Sequence, residues 1–279
     1  MAAEATIWSI PAYLPYVHPP LTEAAIKGAE LRLGVRLPSS YLEILKQQNG
    51  GYVRFSLPNM SSEMVWGIGP QFPSITDQFD WRDPEEASDY DWSPRDAHLL
   101  VPFDGDGHWH LCLDYRAAGP NSEPKVTYVD LEGGQEEPVA GDFATFLKSL
   151  LFDSPNATFG VGAAVENVLA ALESELGVHF QSQGALDHGY EMKRVGLGAD
   201  RRAPWIWVSE NEVARGFVRP SDPRYEELNG LLKGTALRFP EYPQSATIVE
   251  CNVAASPAVM DACARRSLPL EVIGEGNRS

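Results

Sequence analysis

Cysteine is scarce in this chain. Its 279 residues hold three, Cys112, Cys251 and Cys263, odd in number, widely spaced and without a C-x-x-C pair. A disulfide framework is thereby excluded, and a reducing, cytoplasmic setting is expected. Long apolar runs are also missing. No stretch approaches the roughly 20 residues that a membrane helix needs. The opening segment, residues 1–10, carries Glu4 and no base, so it lacks the basic n-region of a secretory signal. Basic residues are few: 22 stand against 39 acids, for a net charge of −17. The excess is uneven, with 23 acids and 10 bases in residues 1–157 and 16 acids and 12 bases in residues 158–279. Such a chain repels nucleic acid, whose affinity depends on cations displacing counterions, and repels an anionic membrane surface. It attracts a basic protein and speeds that encounter, although the same charge also serves plain solubility.

What is present is globular: 43% hydrophobic and 22% charged residues. Thr22 stands as an N-cap before a helix whose apolar positions are Ile26, Leu31 and Leu33, with Leu21 and Ile26 as a hydrophobic staple and Gly34 as the stop. Ser40-x-x-Glu43 fits a capping box for a second helix with Tyr41, Leu42, Ile44 and Leu45, ended by Asn49-Gly50-Gly51. The period then changes to two, and strands are expected at residues 52–55 and 64–68. A loop over residues 69–96 follows, rich in proline, aromatics and acids. Within residues 77–91 lie Asp77, Asp80, Asp83, Glu85, Glu86, Asp89 and Asp91 against Arg82 alone, interleaved with Phe79, Trp81, Tyr90 and Trp92. Loops of this length in compact domains are usually functional or disordered. Residues 109–115 and 125–131 alternate as an antiparallel hairpin, and Phe143, Phe146, Leu147, Leu150 and Leu151 close the unit at helical spacing.

The division expected is a first domain over residues 1–153, a linker over 154–160 and a second domain over 161–279. In the second, helices are expected near 163–176, 223–232 and 257–265, and strands near 190–195, 205–208, 247–253 and 270–273. This mixed order predicts a small α/β or α+β domain. Residues 31–37 and 175–180 look alike, each a helix, a glycine stop and an apolar step; a shared helix-stop solution accounts for this more readily than a duplication.

Several apparent sites dissolve on inspection. Asp104-Gly105-Asp106-Gly107 lacks the glycine and the glutamate that a calcium loop requires at its sixth and twelfth positions, where Trp109 and Tyr115 stand. His108 and His110 share a strand face and could hold zinc, but a glycine-rich turn feeding a strand is the simpler reading. Gly160-Val161-Gly162 lacks the third small residue of a dinucleotide loop and reads as a hinge. No G-x-S-x-G elbow exists. Cys251 or Cys263 with His179 or His188, or a cluster of Asp187, His188 and Tyr190, could in principle support catalysis, but buried cysteine is ordinarily structural. Arg194, Arg201 and Arg202 precede Trp205-Ile206-Trp207, a pattern that can bind nucleic acid. The net charge opposes that, and Trp205 and Trp207 on one strand face are expected to pack. No catalytic, cofactor or metal residue is therefore assigned.

In order along the chain stand the glycine-stopped helix, Leu37-Pro38-Ser39-Ser40-Tyr41, the helix ending at Asn49-Gly50-Gly51, the Trp66 strand, residues 101–107 (Val-Pro-Phe-Asp-Gly-Asp-Gly), the strand ending at Asp114 and the closing helix at residues 143–147. This order resembles the SUKH superfamily, which includes the yeast cell-wall assembly regulator and bacterial immunity proteins, over about residues 15–152. The resemblance implies an α+β fold, a sheet with flanking helices, before the smaller mixed α/β domain. It also implies a non-catalytic protein-binding module, without cofactor, of the kind that neutralises a basic toxin domain by occlusion. A regulatory scaffold or adaptor is the alternative, as is an enzyme housed in the C-terminal domain. The residues expected at a partner interface are Trp66, Asp77, Asp80, Trp81, Asp83, Glu85, Glu86, Asp89 and Asp91. The acidic stretch departs from the family's usual look in length and charge.

Overall fold

The computed structural model describes residues 6–57, 63–83, 85, 92–152, 154, 156–185, 188–198, 200 and 202–274. The chain is α+β and divides into two compact units: Pro15–Leu151, and Met1–Leu14 together with Phe152–Ser279. The first strand, β1 (Ala12–Tyr13), thus lies in the same unit as the C-terminal half.

In the Pro15–Leu151 unit, α1 (Glu23–Leu33) starts where the Thr22 hydroxyl accepts the Ala25 N–H at 3.1 Å. It stops at Gly34, whose φ of +69° and N–H bond to the Glu30 carbonyl make a left-handed cap. Ile26 and Ala29 face inward, but Leu31 is 86% exposed. Five residues carry the helix about 140° past Ile26, onto the opposite side. α2 (Ser39–Gln47) begins two residues earlier than the capping box requires: Pro38 takes the cap position with no side-chain bond, which leaves Ser40 inside the first turn. Tyr41, Ile44 and Leu45 are its buried residues. β2 (Gly51–Tyr52) pairs antiparallel with β3 (Met64–Val65).

The sheet of this unit is an antiparallel meander of β4 (Leu100–Gly105), β5 (Trp109–Asp114), β6 (Lys125–Asp130) and β7 (Gln135–Ala140). The expected hairpin is its centre, with Trp109 opposite Asp130 and Asp114 opposite Lys125. β7 was not legible. Its sequence carries two glutamates and Pro138 and lacks an apolar alternation, a composition suited to an edge strand that must not recruit another chain. α3 (Phe143–Ser149) is capped by Asp142, which accepts the Thr145 N–H at 2.6 Å. Phe143 and Phe146 meet Phe103 edge-on at 5.3 Å, and Tyr41 meets Phe143 at 5.2 Å.

The other unit runs β8 (Ala157–Val161), α4 (Val165–Leu176), β9 (Gln181–Gln183), β10 (Met192–Gly196), β11 (Trp205–Glu210), β12 (Glu212–Ala214), β13 (Gly216–Phe217), α5 (Tyr225–Leu228), β14 (Thr235–Leu237), β15 (Thr247–Cys251), α6 (Ser256–Arg265) and β16 (Leu270–Val272). Six of these strands form one antiparallel sheet in the order β16-β8-β15-β11-β10-β9. Phe159, Val161, Ile206, Val208 and Val249 form a core with Val168 and Leu172 of α4 and Val259 and Cys263 of α6. Trp205 and Trp207 pack together, ring centres 4.6 Å apart. The buried Arg238 guanidinium binds Ser209 at 2.8 Å and Glu250 at 3.1 Å, and lies 4.2 Å from the Tyr190 ring.

Two expectations about the boundary differ from the structure. Residues 157–161, expected within a linker and a hinge, form β8, paired on both sides. A Cβ on Gly160 would lie 2.6 Å from the Tyr242 ring, so this glycine permits close packing rather than bending. The first fourteen residues, expected in the first domain, group with the second unit. β1 pairs parallel to β13, the Ala12 N–H donates to the Arg215 carbonyl at 2.9 Å, and Leu14 clusters with Val218 and Leu228.

The likeness between residues 31–37 and 175–180 has a physical basis. Gly34 and Gly177 are both left-handed caps, at φ +69° and +66°. In both places a glutamate four residues before the glycine accepts the N–H three residues after it: Glu30 from Leu37 at 3.0 Å, Glu173 from Phe180 at 2.8 Å. The carboxylate satisfies an amide that the departing chain would otherwise leave unpaired.

Candidate partner-binding surface

The meander has two faces to cover. Phe103 lies under α3, while Cys112, Val129 and Leu100 form a second apolar patch. The aromatic residues of the long loop cover that patch. A single 3-10 turn, Asp80–Arg82, puts Trp81 into the cluster of Ala97, Leu100, Cys112 and Val129, with Phe79, Trp92 and Leu131 around it. The turn is tied down where Arg82 Nη2 donates to the His98 carbonyl at 3.0 Å.

Trp66 and Trp81 were expected at a partner interface, but their rings are 1% and 2% exposed. The Trp66 N–H donates to the Phe103 carbonyl at 2.7 Å, and its own carbonyl accepts the Tyr41 hydroxyl. Its ring stacks on Phe79 at 5.5 Å. Both indoles therefore serve the core, because the second face of the meander would otherwise meet water. The acids divide differently. Asp77 is half-buried and accepts the Ser74 N–H at 2.7 Å, closing a turn. Asp80, Asp83 and Glu85 are exposed, and Asp83 accepts the Glu85 N–H at 2.9 Å. Glu86, Asp89 and Asp91 lie outside the described residues.

His110 sits at the centre of the aromatic layer. It is 1% exposed and stacks on Trp81 at 5.4 Å, with Phe79 at 5.1 Å and Trp66 at 5.9 Å edge-on. Among the described residues neither ring nitrogen has a hydrogen-bond partner. Gly105 makes room for it, since a Cβ there would meet His110 Nδ1 at 2.4 Å. His108 is not beside it: it is exposed in the preceding turn and pairs with Glu132 at 2.8 Å. The two histidines expected on one strand face thus part, and among the described residues no group of three or more His, Cys, Asp or Glu side chains is placed to hold a metal.

Burial pushes the His110 imidazole down from 6.5 to about 4. The folded protein therefore keeps it neutral at pH values where the unfolded chain takes up a proton. Its contribution to stability is complete above about pH 6.5 and is lost as pH falls toward 4, to a total of about 3 kcal/mol. In His110→Phe this part of the acid limb is expected to vanish. Denaturant titrations at pH 7, 5.5 and 4 check it, and parallel acid limbs for the two proteins would refute it.

In the second unit the candidate catalytic groups come together only in part: the His188 and Tyr190 rings lie 6.3 Å apart. All three cysteines are free and buried. Burial raises their thiols, Cys251 to about 11, which disfavours the nucleophilic thiolate. His179 is exposed and pairs with Glu173 at 2.9 Å. His188 packs 5.8 Å from the Trp207 ring. Asp187 and Arg201 lie outside the described residues. Burial lifts the Tyr190 phenol to about 12. Among the described residues no helix is long and apolar enough to cross a membrane.

Sequence reasoning singled out the acids but not Phe72, which is 62% exposed and 6.0 Å from the Trp66 ring. No periodicity marks it, since it stands in irregular chain between Gln71 and Pro73. No curated protein and no solved structure matches the chain. The profile of the SMI1 / KNR4 family (SUKH-1) matches residues 20–149, just under half of the chain, and this is the superfamily that the order of motifs in that segment resembles.

Proposed function

We propose that the Pro15–Leu151 unit is a non-catalytic protein-binding module that occludes a basic partner, as an immunity protein occludes a toxin domain. The observation that carries this reading is the division of labour in residues 79–85. Phe79 and Trp81 turn inward onto the meander, while Asp80, Asp83 and Glu85 stay exposed on a turn fixed to that rigid layer. Acids gathered on one short segment repel one another, so stability alone does not explain their concentration. The SUKH-1 match is consistent with an immunity or regulatory protein-binding module. The buried, free cysteines fit an encounter in the reducing cytoplasm.

The test uses the full chain and a basic protein that co-purifies with it. Rates are measured by stopped flow as salt is raised. Association is expected to slow steeply with salt, and Asp80→Asn, Asp83→Asn and Glu85→Gln together are expected to slow it roughly tenfold at low salt. Unchanged rates and affinity in the triple variant would remove this surface from the interface.

A further inference from the structure

The loop over residues 67–77 is ordered by its own polar contacts. Gly67 and Ser74 form a parallel bridge, and the Ile75 N–H donates to the Gly67 carbonyl at 3.1 Å. Ser74 Oγ accepts the N–H groups of Gly69 at 3.3 Å and Thr76 at 3.2 Å. The base is equally fixed. Asn49 both accepts from the Ile68 N–H, at 2.8 Å, and donates to the Ile68 carbonyl, at 2.9 Å. His18 Nε2 lies 2.9 Å from the Pro73 carbonyl, and a Cβ on Gly69 would fall 2.1 Å from His18 Nδ1.

This scaffold holds Pro73, Ser74 and Ile75 buried while Pro70, Gln71 and Phe72 stand outside. Phe72 is the one aromatic among the large hydrophobic residues exposed in the described chain; the others are Leu31, Leu151, Leu231, Val253, Met260 and Val272. Its ring lies 6.0 Å from that of Trp66 at a tilt of 58°, Trp66 stacks on Phe79, and Phe79 leads directly into the exposed Asp80. A phenyl group at the margin of an acidic turn is thus presented by a loop whose conformation is already fixed. Ordering costs weaken binding, so an aromatic held in place beforehand makes an effective anchor.

We propose that Phe72 is the apolar anchor of the partner-binding surface, and that the partner offers an apolar pocket flanked by lysine or arginine. This rests on the binding role proposed above for the acidic turn. The ring would be buried at the centre of the contact, and Asp80, Asp83 and Glu85 would meet the cations at its rim. The anchor would govern dissociation and the rim would govern association.

A display library of three-helix bundles randomised on one face, panned against the immobilised full chain, supplies a test that needs no natural partner. Selected binders are expected to carry apolar residues flanked by Lys and Arg. Phe72→Ala is expected to raise their off-rates roughly tenfold or more with little change in on-rate, and the triple acid variant to lower their on-rates. Binders that depend on the acids but tolerate Phe72→Ala would overturn the anchor and leave the acidic surface standing. Binders indifferent to both changes, or no binders at all, would overturn the anchor and the acidic surface together. Phe72 is exposed, so its alanine variant should unfold at the wild-type denaturant midpoint, which shows that the effect is one of binding.

Discussion

Trp81→Ala is expected to destabilise the Pro15–Leu151 unit by about 3–5 kcal/mol, the range for removing a large aromatic side chain from a core. The ring is 2% exposed and joins the loop to His110, Leu100, Cys112 and Val129. Truncation leaves a cavity that the meander cannot close, because strands paired on both sides do not shift inward. Among the described residues the indole N–H has no hydrogen-bond partner, so the loss there is one of packing rather than of a hydrogen bond. Denaturant unfolding followed by circular dichroism measures it, and a loss below about 1 kcal/mol would show that the ring is not part of the core. The contrast with the surface is informative. Replacing Asp80, Asp83 and Glu85 by their amides should change stability by no more than about 0.5 kcal/mol per site, since all three are exposed. A binding defect in Trp81→Ala would therefore report a lost platform, whereas the same defect in the triple variant would report lost charge.

Deleting residues 1–14 is expected to destabilise the unit that contains Phe152–Ser279, although these residues stand at the other end of the sequence. Leu14 is 1% exposed and clusters with Val218 and Leu228, and Ala12 and Tyr13 pair with Gly216 and Phe217. Leu14→Ala alone should cost about 3 kcal/mol. The full deletion also removes the parallel strand pair and should cost more. A fragment of residues 161–279, the second domain expected from sequence, additionally lacks most of β8, which leaves β16 without a partner strand and β15 paired only with β11. It should show no cooperative unfolding transition. The comparison is between denaturant curves of residues 15–279 and of the full chain; coincident curves would show that the N-terminal strand contributes nothing to that unit.

Local signals were legible in the sequence and non-local ones were not. Thr22 and Gly34 mark α1 because a cap needs only its own side chain and a neighbouring amide. The hairpin of β5 and β6 was readable from its alternation. The capping box at Ser40 failed because Pro38 had already taken the cap position. The linker failed because β8 is short, contains Gly160 and lacks the turn-bounded apolar run by which strands are recognised.

The candidate surface divides along the same line. The concentration of acids in residues 77–91 follows from composition, since charge needs no fold to be counted. The α+β class and the likeness to SUKH proteins were likewise written in the order of local motifs. Tertiary structure alone decided which aromatics face water. Trp66 and Trp81 turn inward because the meander has a second apolar face to cover, and Phe72 stays outside because the network of His18, Asn49 and Ser74 fixes its loop. Burial is a property of what lies on the other side of a residue, and that is settled only when distant segments meet.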